Sequence, residues 1–309
     1  MIKYRTLKTQ AELNEAIQLS NHVFFQCDSF FERRYPHVFS LDNLDYLFGA
    51  FNEGELVSFI ATYPSMVSFE ETSVPVCTLG SVCTHPDFQG QRISFRLLET
   101  LGDALSDQVD LIFISGEGKN YLRFNASVAG KIYEVHVPRA AFSVTSKPYR
   151  IISRAEDLDV SAYHRAYLNE LKPKFERNLK EQELMVKGHF EALGNEQNLV
   201  LQEEDMDAFA CIRIAFEGEN KIAFIIERVG DFDLQIAEDL ANQLNCDKLF
   251  YRSQNEICSW HQIYTQSIPI TGTIKVIRPK FGLTAIDWFG DLNHKGRLPS
   301  LRVDHLNFL

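Results

Sequence analysis

The sequence GSVCTHPDFQGQRISFRLL, residues 80–98, places a polar turn between an apolar strand and an amphipathic helix. The first N–H groups of a helix have no partner within the helix, and together with the helix dipole they attract anions such as a diphosphate. Glycine in such a turn lets the anion approach the backbone, because it has no Cβ. Gly90 is present here, but Arg92 and Ser94 occupy the later turn positions. The residues alone leave two interpretations open: an anion-binding turn, or an ordinary connection between a strand and a helix.

The cysteines predict neither a metal site nor a disulfide framework. They form no C-x-x-C pair and have no close histidine partners. The six residues are Cys27, Cys77, Cys83, Cys211, Cys246 and Cys258. Scattered cysteines in a chain of this size are typical of reduced core residues, so we expect no metal and a cytoplasmic protein. Cys83 precedes the turn, but it has no evident histidine partner, and we do not expect it to act as a nucleophile.

Length, composition and charge limit the class of protein. A chain of 309 residues with 45% hydrophobic and 24% charged residues is typical of two globular domains. The sequence contains no run of about 18 apolar residues, so we predict no membrane span. The N-terminus lacks the apolar core of a signal peptide. A net charge of −11 argues against a general nucleic-acid binder. That charge is explained either by solubility or by attraction of a cationic small molecule.

The elements that position the turn follow from the apolar pattern. The segment from Thr9 to Glu12 is a capping box, which predicts the start of a first helix. Apolar residues recur every four positions from Ile93 to Leu105 and predict the helix after the turn. Strands are predicted at 47–51, 55–70, 76–85 and 110–115, with a hairpin turn at 52–55.

The second half repeats part of this order of elements. Strands are predicted at 198–203, 207–217, 221–229 and 247–253, with a helix at 233–244 before the last of them. Proline and charges around 146–157 indicate a domain boundary. We therefore predict an α/β (α+β) chain of two tandem domains, residues 1–150 and 151–309, each a mixed twisted sheet flanked by helices. A single large mixed sheet is the alternative.

The run from Val82 to Ser94 resembles the acetyl-CoA motif of the GNAT superfamily of N-acetyltransferases, which reads Gln/Arg-x-x-Gly-x-Gly/Ala. Gln89 matches the first position, Arg92 replaces the first glycine and Ser94 replaces the final small residue. The preceding Thr-His-Pro loop and the helix from Ile93 fit the same pattern. Tyr121 matches a tyrosine that the family often places at the start of a short helix after the next strand.

The resemblance implies acetyl-CoA as co-substrate and a set of residues that bind it. The implied cofactor-binding residues are Val82, Cys83, Thr84, Gln89, Gly90, Gln91, Arg92, Ile93 and Ser94. The strand ending at Val82 and Thr84 would splay from its neighbour and leave backbone groups free for the pantetheine amides. Arg92 would keep its backbone N–H, provided its conformation is right-handed helical, and its guanidinium would add a bond to phosphate. Tyr121 would be the general acid for the CoA sulfur.

The two halves together resemble tandem GNAT proteins related to the enhanced-intracellular-survival acetyltransferases, in which the second copy is commonly degenerate. Residues 1–150 would be the acetyl-CoA-binding domain and 151–309 the degenerate GNAT-like domain. At the matching turn the second half reads Val229-Gly230-Asp231-Phe232-Asp233. Two carboxylates at the helix start would cap it themselves and repel a diphosphate, so we expect no CoA there.

Two functions remain open. One is an acetyl-CoA-dependent N-acetyltransferase that acts on a primary amine of a small molecule or peptide. The other is a non-catalytic CoA-binding or regulatory protein that retains the fold. Neither nucleic acid nor a membrane is expected as a partner, and a homodimer is left open. The sequence offers six candidates for the general base that would deprotonate the amine, and each is better explained as a solvated surface group. They are Asp28, Glu32, His37, Glu70, Glu71 and His85.

The aromatic residues before the first strand pair also have two interpretations. They either line an acceptor pocket or form core beneath two helices, and core is favoured. The residues are Phe24, Phe25, Phe30, Phe31, Tyr35 and Phe39.

Overall fold

The computed structural model describes residues 1–25, 30–69, 72–114, 119–129, 133–170, 174–204, 207–253, 265–266 and 272–276. These residues form two compact units. The first unit contains the described residues up to 129 together with 272–276, and the second contains those from 133 to 253 with 265–266. Each unit has one mixed sheet flanked by helices, which confirms the predicted fold class.

The elements are numbered along the chain. Up to residue 129 they are β1 (Ile2–Thr6), α1 (Gln10–Phe25), α2 (Phe31–Arg34), β2 (Leu47–Asn52), β3 (Glu55–Phe69), β4 (Thr72–Thr84), α3 (Ile93–Leu105), β5 (Leu111–Ile114), α4 (Lys119–Arg123) and β6 (Ser127–Ala129). The remainder are β7 (Tyr133–Pro138), β8 (Tyr149–Ile152), α5 (Val160–Leu168), β9 (Lys174–Phe175), α6 (Leu179–Phe190), β10 (Gln197–Glu203), β11 (Phe209–Glu217), β12 (Asn220–Val229), α7 (Leu234–Gln243), β13 (Lys248–Ser253), β14 (Thr265–Gln266) and β15 (Gly272–Val276).

The sheet of the first unit has the order β1-β2-β3-β4-β5-β15-β6. Its pairs are antiparallel except β4 with β5, whose chain connection runs through α3. The predicted hairpin between β2 and β3 is confirmed, and Glu53 and Gly54 have the positive φ values of 52° and 99° that a tight two-residue turn requires. The apolar side of α3 packs on this sheet, with Leu97 and Leu101 fully buried.

The sheet of the second unit has the order β14-β7-β13-β12-β11-β10-β8, which repeats the connectivity of the first. In each sheet the strand beside the short buried strand comes from the other part of the chain: β15 pairs with β5, and β7 pairs with β13. β7 therefore lies before the predicted boundary at residue 150 but in the second unit, and β15 lies after it but in the first. The shared order supports a tandem duplication, which stays a prediction.

The aromatic segment between α1 and β2 is core, as the favoured interpretation has it. Phe31 is fully buried, and Phe30, Tyr35 and Phe39 are nearly so. The rings of Phe25 and Phe30 are 4.1 Å apart between centroids, and Phe31 contacts all of its aromatic neighbours. This cluster packs α2 against the sheet through the contact of Phe39 with Phe59 of β3, whereas Phe24 and Phe25 at the end of α1 are only half-buried.

Candidate active site

A bulge lies near the end of β4, just beyond the last described pair of this strand with β5. Ser81 and Val82 of β4 lie opposite the single residue Ile60 of β3, and Ser81 has a positive φ of 47°. The last pair between β4 and β5 is Leu79 with Ile114, so in the described part of the chain the rest of β4 has no partner on that side. A bulge bends its strand and disrupts regular pairing, which accounts for the edge of β4 that is unpaired among the described residues. We call this unpaired edge, from Gly80 to Thr84, the gap between β4 and β5.

The backbone of Thr84 points into this gap. The N–H of His85 donates to the carbonyl of Val57 on β3 at 2.9 Å, and neighbouring residues of a strand direct their backbone groups to opposite sides. The Thr84 carbonyl accepts a hydrogen bond from Nε2 of Gln89 at 3.3 Å. The carbonyl of Cys83, in contrast, accepts from the hydroxyl of Ser58 on β3. Thr84 is thus the residue of the predicted set whose N–H remains available in the gap.

The turn after β4 presents a concave row of backbone N–H groups. Gly90 and Arg92 both have left-handed φ values, 77° and 60°, and α3 begins directly afterwards. A left-handed residue followed by a right-handed one turns successive N–H groups toward a common centre, which is the geometry of an anion-binding nest. Among the described residues, no acceptor pairs with the N–H groups of residues 90–95. The side chain of Ile93 is buried in the core and anchors the turn.

The condition attached to Arg92, a right-handed helical backbone, is not met. Its φ of 60° and ψ of 22° are left-handed, at the position before the first residue of α3. The chain must turn there from the extended Gln89 into the helix, and the left-handed conformation achieves this at a cost of about 1–2 kcal/mol for a residue with a Cβ. The Arg92 side chain is exposed and has no partner in the described part of the chain, so it does not fill the turn.

Helix α4 joins the start of α3 and carries Tyr121. The side-chain amide of Asn120 donates to the hydroxyl of Ser94 at 3.4 Å. Tyr121, the next residue, is half-buried against the core of the first unit, and its hydroxyl has no hydrogen-bond partner among the described residues. Burial raises the pKa of Tyr121 to about 12. The phenol is therefore protonated at neutral pH and able to donate a proton.

Cys83 is a core residue, as expected. Its side chain is 3% exposed, and Sγ lies 3.8 Å from the hydroxyl of Ser20 on α1. Burial raises the pKa of the thiol to about 12, so a thiolate is not available at neutral pH. The nucleophilic role excluded from the sequence is excluded by this environment as well.

The structure assigns no general base among the sequence candidates. Asp28, Glu70 and Glu71 lie outside the described residues. Nδ1 of His85 accepts from the backbone N–H of Asp87 at 3.3 Å. Glu32 accepts from the side chain of Asn21. The expectation of a solvated surface group is wrong for His37, which is buried and packs against Tyr63.

The matching turn of the second unit is closed by the chain's own carboxylates. Asp233 caps α7 by accepting from the N–H of Gln235 at 3.0 Å, which confirms the predicted cap. The N–H of Gly230 donates to Glu170 at 2.5 Å, and the N–H of Asp233 donates to Glu203 at 2.6 Å. These carboxylates occupy donors that an anion would otherwise use. The absence of CoA from this unit stays a prediction.

Comparison with known proteins identifies the first unit. Residues 3–129 match the family model described as an acetyltransferase (GNAT) domain. This part of the chain is a GNAT domain. The match includes β4, the turn, α3 and α4, so the resemblance drawn from residues 82–94 and Tyr121 is confirmed at the level of the family. No curated protein matches the chain by sequence.

Solved structures show the same fold over most of the chain. A GCN5-related N-acetyltransferase from Anabaena variabilis has a TM-score of 0.68 at 12% identity, covering 90% of this chain and 73% of that one. Eis1 from Mycobacterium abscessus has a TM-score of 0.63 at 13% identity, covering 90% and 74%. N-myristoyltransferase from Saccharomyces cerevisiae, solved with bound myristoyl-CoA, has a TM-score of 0.59 at 10% identity, covering 88% and 78%. Such identities establish the fold and not the substrate.

The described residues of both units also bear on membrane and metal binding. Within the described ranges, no helix combines the length and apolar character needed to cross a bilayer. Over the same residues, no three side chains of the kind that bind metal come together.

Proposed function

We propose that the GNAT domain transfers an acetyl group from acetyl-CoA to a primary amine of a small molecule or peptide. The observation that carries this proposal is the row of unpaired N–H groups at residues 90–95, next to the gap between β4 and β5. An acyl-CoA has a diphosphate that suits the first feature and a pantetheine chain with two amides that suits the second. The family match of residues 3–129 supports acyl transfer from CoA.

In this proposal the pantetheine lies along the end of β4 and donates an amide N–H to the carbonyl of Thr84, which leaves the N–H of Thr84 for the thioester oxygen. The diphosphate accepts from the N–H groups of Gly90 to Ser94, and the guanidinium of Arg92 adds a charge-assisted hydrogen bond. Gln89 holds the Thr84 carbonyl and so fixes the angle between strand and turn. Val82 and Cys83 shape the gap through the bulge and the contact with β3.

The reaction requires a free amine, a polarised thioester carbonyl and a protonated leaving group. The amine nitrogen attacks the thioester carbon, and the N–H of Thr84 stabilises the oxygen of the tetrahedral intermediate. Collapse of this intermediate breaks the C–S bond, and Tyr121 donates its proton to the departing sulfur. The excess proton of the amine leaves through water, and solvent reprotonates Tyr121. A buried phenol with a pKa of about 12 stays protonated until the sulfur requires the proton.

Binding of acetyl-CoA tests the proposal directly. We expect heat in isothermal titration and an increase in the melting temperature, since a ligand at 100 times its Kd stabilises the folded state by about 2.7 kcal/mol. Gly90→Val should lose this heat for two reasons. Gly90 has a φ of 77°, which valine adopts only with strain, and the valine side chain would fill the open space beside the turn that the diphosphate is proposed to occupy. No heat and no thermal shift of the unmodified protein at millimolar acetyl-CoA would overturn the proposal.

A non-catalytic CoA-binding or regulatory protein is the second candidate. The observation that favours it is the replacement of two small motif residues by Arg92 and Ser94, together with the absence of an assigned base among the described residues. Release of free thiol from acetyl-CoA in the presence of a panel of primary amines separates the two. Binding without amine-dependent thiol release would favour the second candidate. A cytoplasmic location and a homodimer also remain proposals.

A further inference from the structure

Four exposed cations lie in the turn or on the two helices beside it, α3 and α4. We call Arg92, Arg96, Lys119 and Arg123 the phosphate patch. All four side chains are exposed, and none forms an ion pair or a side-chain hydrogen bond within the part of the chain that the structure describes. Elsewhere in the same unit, Arg5 forms a bidentate pair with Glu12.

The phosphate patch is positively charged, whereas the unit that contains it carries a net negative charge. Residues 1–129 contain nine Lys and Arg against sixteen Asp and Glu, and four of the nine cations lie in the patch. Like charges that lie close together repel, and nearby carboxylates would relieve the repulsion. Four unpaired cations beside free N–H donors make the surface around the turn favourable for an anion.

The positions of the four residues follow from helix geometry. Arg92 and Arg96 are one turn apart at the start of α3, where the N–H of Arg96 donates to the carbonyl of Arg92. Lys119 and Arg123 are one turn apart on α4, and the contact of Asn120 with Ser94 holds α4 against the start of α3. Each pair therefore flanks the row of N–H groups from a different helix.

The second unit provides an internal comparison. Helix α7, which has the place of α3, reads LQIAEDLANQ and contains no cation. Its first-turn donors are already occupied by carboxylates of the chain. A cation does lie at the second turn, but it is paired within the chain: Nζ of Lys147 lies 2.7 Å from a carboxylate oxygen of Asp233. The cations at the first turn have no such partner among the described residues.

We propose that Arg96, Lys119 and Arg123 bind the ribose 3′-phosphate of coenzyme A, and that the domain thereby selects 3′-phosphorylated carriers over dephosphorylated ones. The inference rests on the proposed function. The turn amides and Arg92 are sufficient for a diphosphate, so the remaining three cations require a further anionic group. In coenzyme A that group is the phosphomonoester on the ribose, a dianion near neutral pH.

The test compares acetyl-CoA with acetyl-3′-dephospho-CoA by isothermal titration at low salt. The two ligands share the thioester, the pantetheine and the diphosphate. We expect acetyl-CoA to bind about tenfold more tightly, as three exposed ion pairs of ordinary strength would produce. The ratio should decrease as KCl is raised, because exposed charges are screened.

The double variant Arg96→Gln/Arg123→Gln should reduce the ratio to about two and leave the affinity for the dephosphorylated ligand nearly unchanged. The control Lys3→Gln/Lys8→Gln removes the same charge from exposed positions of the same unit and should keep the ratio. Equal affinity of the unmodified protein for both ligands, or an unchanged ratio in the double variant, would overturn the inference while the proposed function stands. Binding of neither ligand would reject the proposed function, and this inference with it.

Discussion

Replacing Arg92 with glycine changes the stability of the protein and its affinity for acetyl-CoA in opposite directions. Arg92 has φ 60° and ψ 22°, a conformation that glycine adopts without steric cost. Its side chain is exposed and has no hydrogen-bond or ion-pair partner among the described residues, so its removal takes little packing from the folded state. What the substitution removes is backbone strain and one positive charge at the proposed diphosphate site.

The two effects have separate magnitudes. A left-handed conformation costs a residue with a Cβ about 1–2 kcal/mol, whereas glycine adds about 0.4–1 kcal/mol of conformational entropy to the unfolded chain. The net gain in the free energy of unfolding is therefore roughly 0.5–1 kcal/mol, or about 1–4 °C in Tm for a unit of this size. Loss of an exposed guanidinium–phosphate contact costs about 1 kcal/mol, which is about fivefold in Kd.

Urea unfolding and titration with acetyl-CoA measure the two quantities, with Arg92→Ala as the matched control. Alanine removes the same charge but retains a Cβ, so it should lose the same affinity as glycine without the gain in stability. If Arg92→Gly is no more stable than Arg92→Ala, the left-handed strain assigned to residue 92 is refuted. If both variants bind acetyl-CoA as tightly as the unmodified protein, the assigned phosphate contact is refuted.

Three further predictions concern individual side chains. Tyr121→Phe should lower kcat about tenfold or more with little change in the Kd of acetyl-CoA, and unchanged turnover would reject the role of this residue. Because the pKa of Tyr121 is about 12, its deprotonation should cause no decrease in kcat between pH 7 and about pH 10. Glu203→Ala should lower the free energy of unfolding by about 1–3 kcal/mol because the N–H of Asp233 loses its acceptor. Acetyl-CoA titration should be unaffected by that variant, and loss of its heat would contradict the assignment of the site to the first unit. Glu227→Gln should lower the free energy of unfolding by about 3–5 kcal/mol, because Arg177 forms a buried ion pair with Glu227 at 2.8 Å. Urea unfolding measures this loss, and a loss below about 1 kcal/mol would show that the guanidinium of Arg177 is hydrated.

The elements that were predicted correctly are those with a strong local signal. The β2–β3 hairpin has a glycine turn, and α3 has apolar residues every four positions, so neither depends on distant contacts. β1 is not predicted because its five residues include Lys3 and Arg5, and it is stabilised by non-local contacts, namely its pairing with β2 and the packing of Ile2 and Tyr4 on the core. The placement of β7 and β15 could not be predicted, since pairing between strands far apart in sequence has no local signature.

The location of the turn was predictable, but its conformation was not. A proline loop, Gln89 and Gly90 before an amphipathic helix mark a strand-to-helix connection in any context. Arginine favours the right-handed region, and no local signal in the sequence indicates the left-handed conformation that Arg92 adopts. Local propensity alone therefore does not predict the backbone at this turn.

The two units show how the same connection leads to opposite properties. Each has a bulge near the end of the strand, at Ser81 in β4 and at Ile226 in β12, followed by a short turn and a helix. The helix dipole favours negative charge at both turns. In the second unit Glu170 and Glu203 supply that charge from within the chain, and the donors are satisfied. In the first unit no described carboxylate does so, and cations lie beside the free donors. The partner that we propose for the first turn is therefore an external anion, and a ligand with several phosphate groups would pair with both the free N–H donors and the cations.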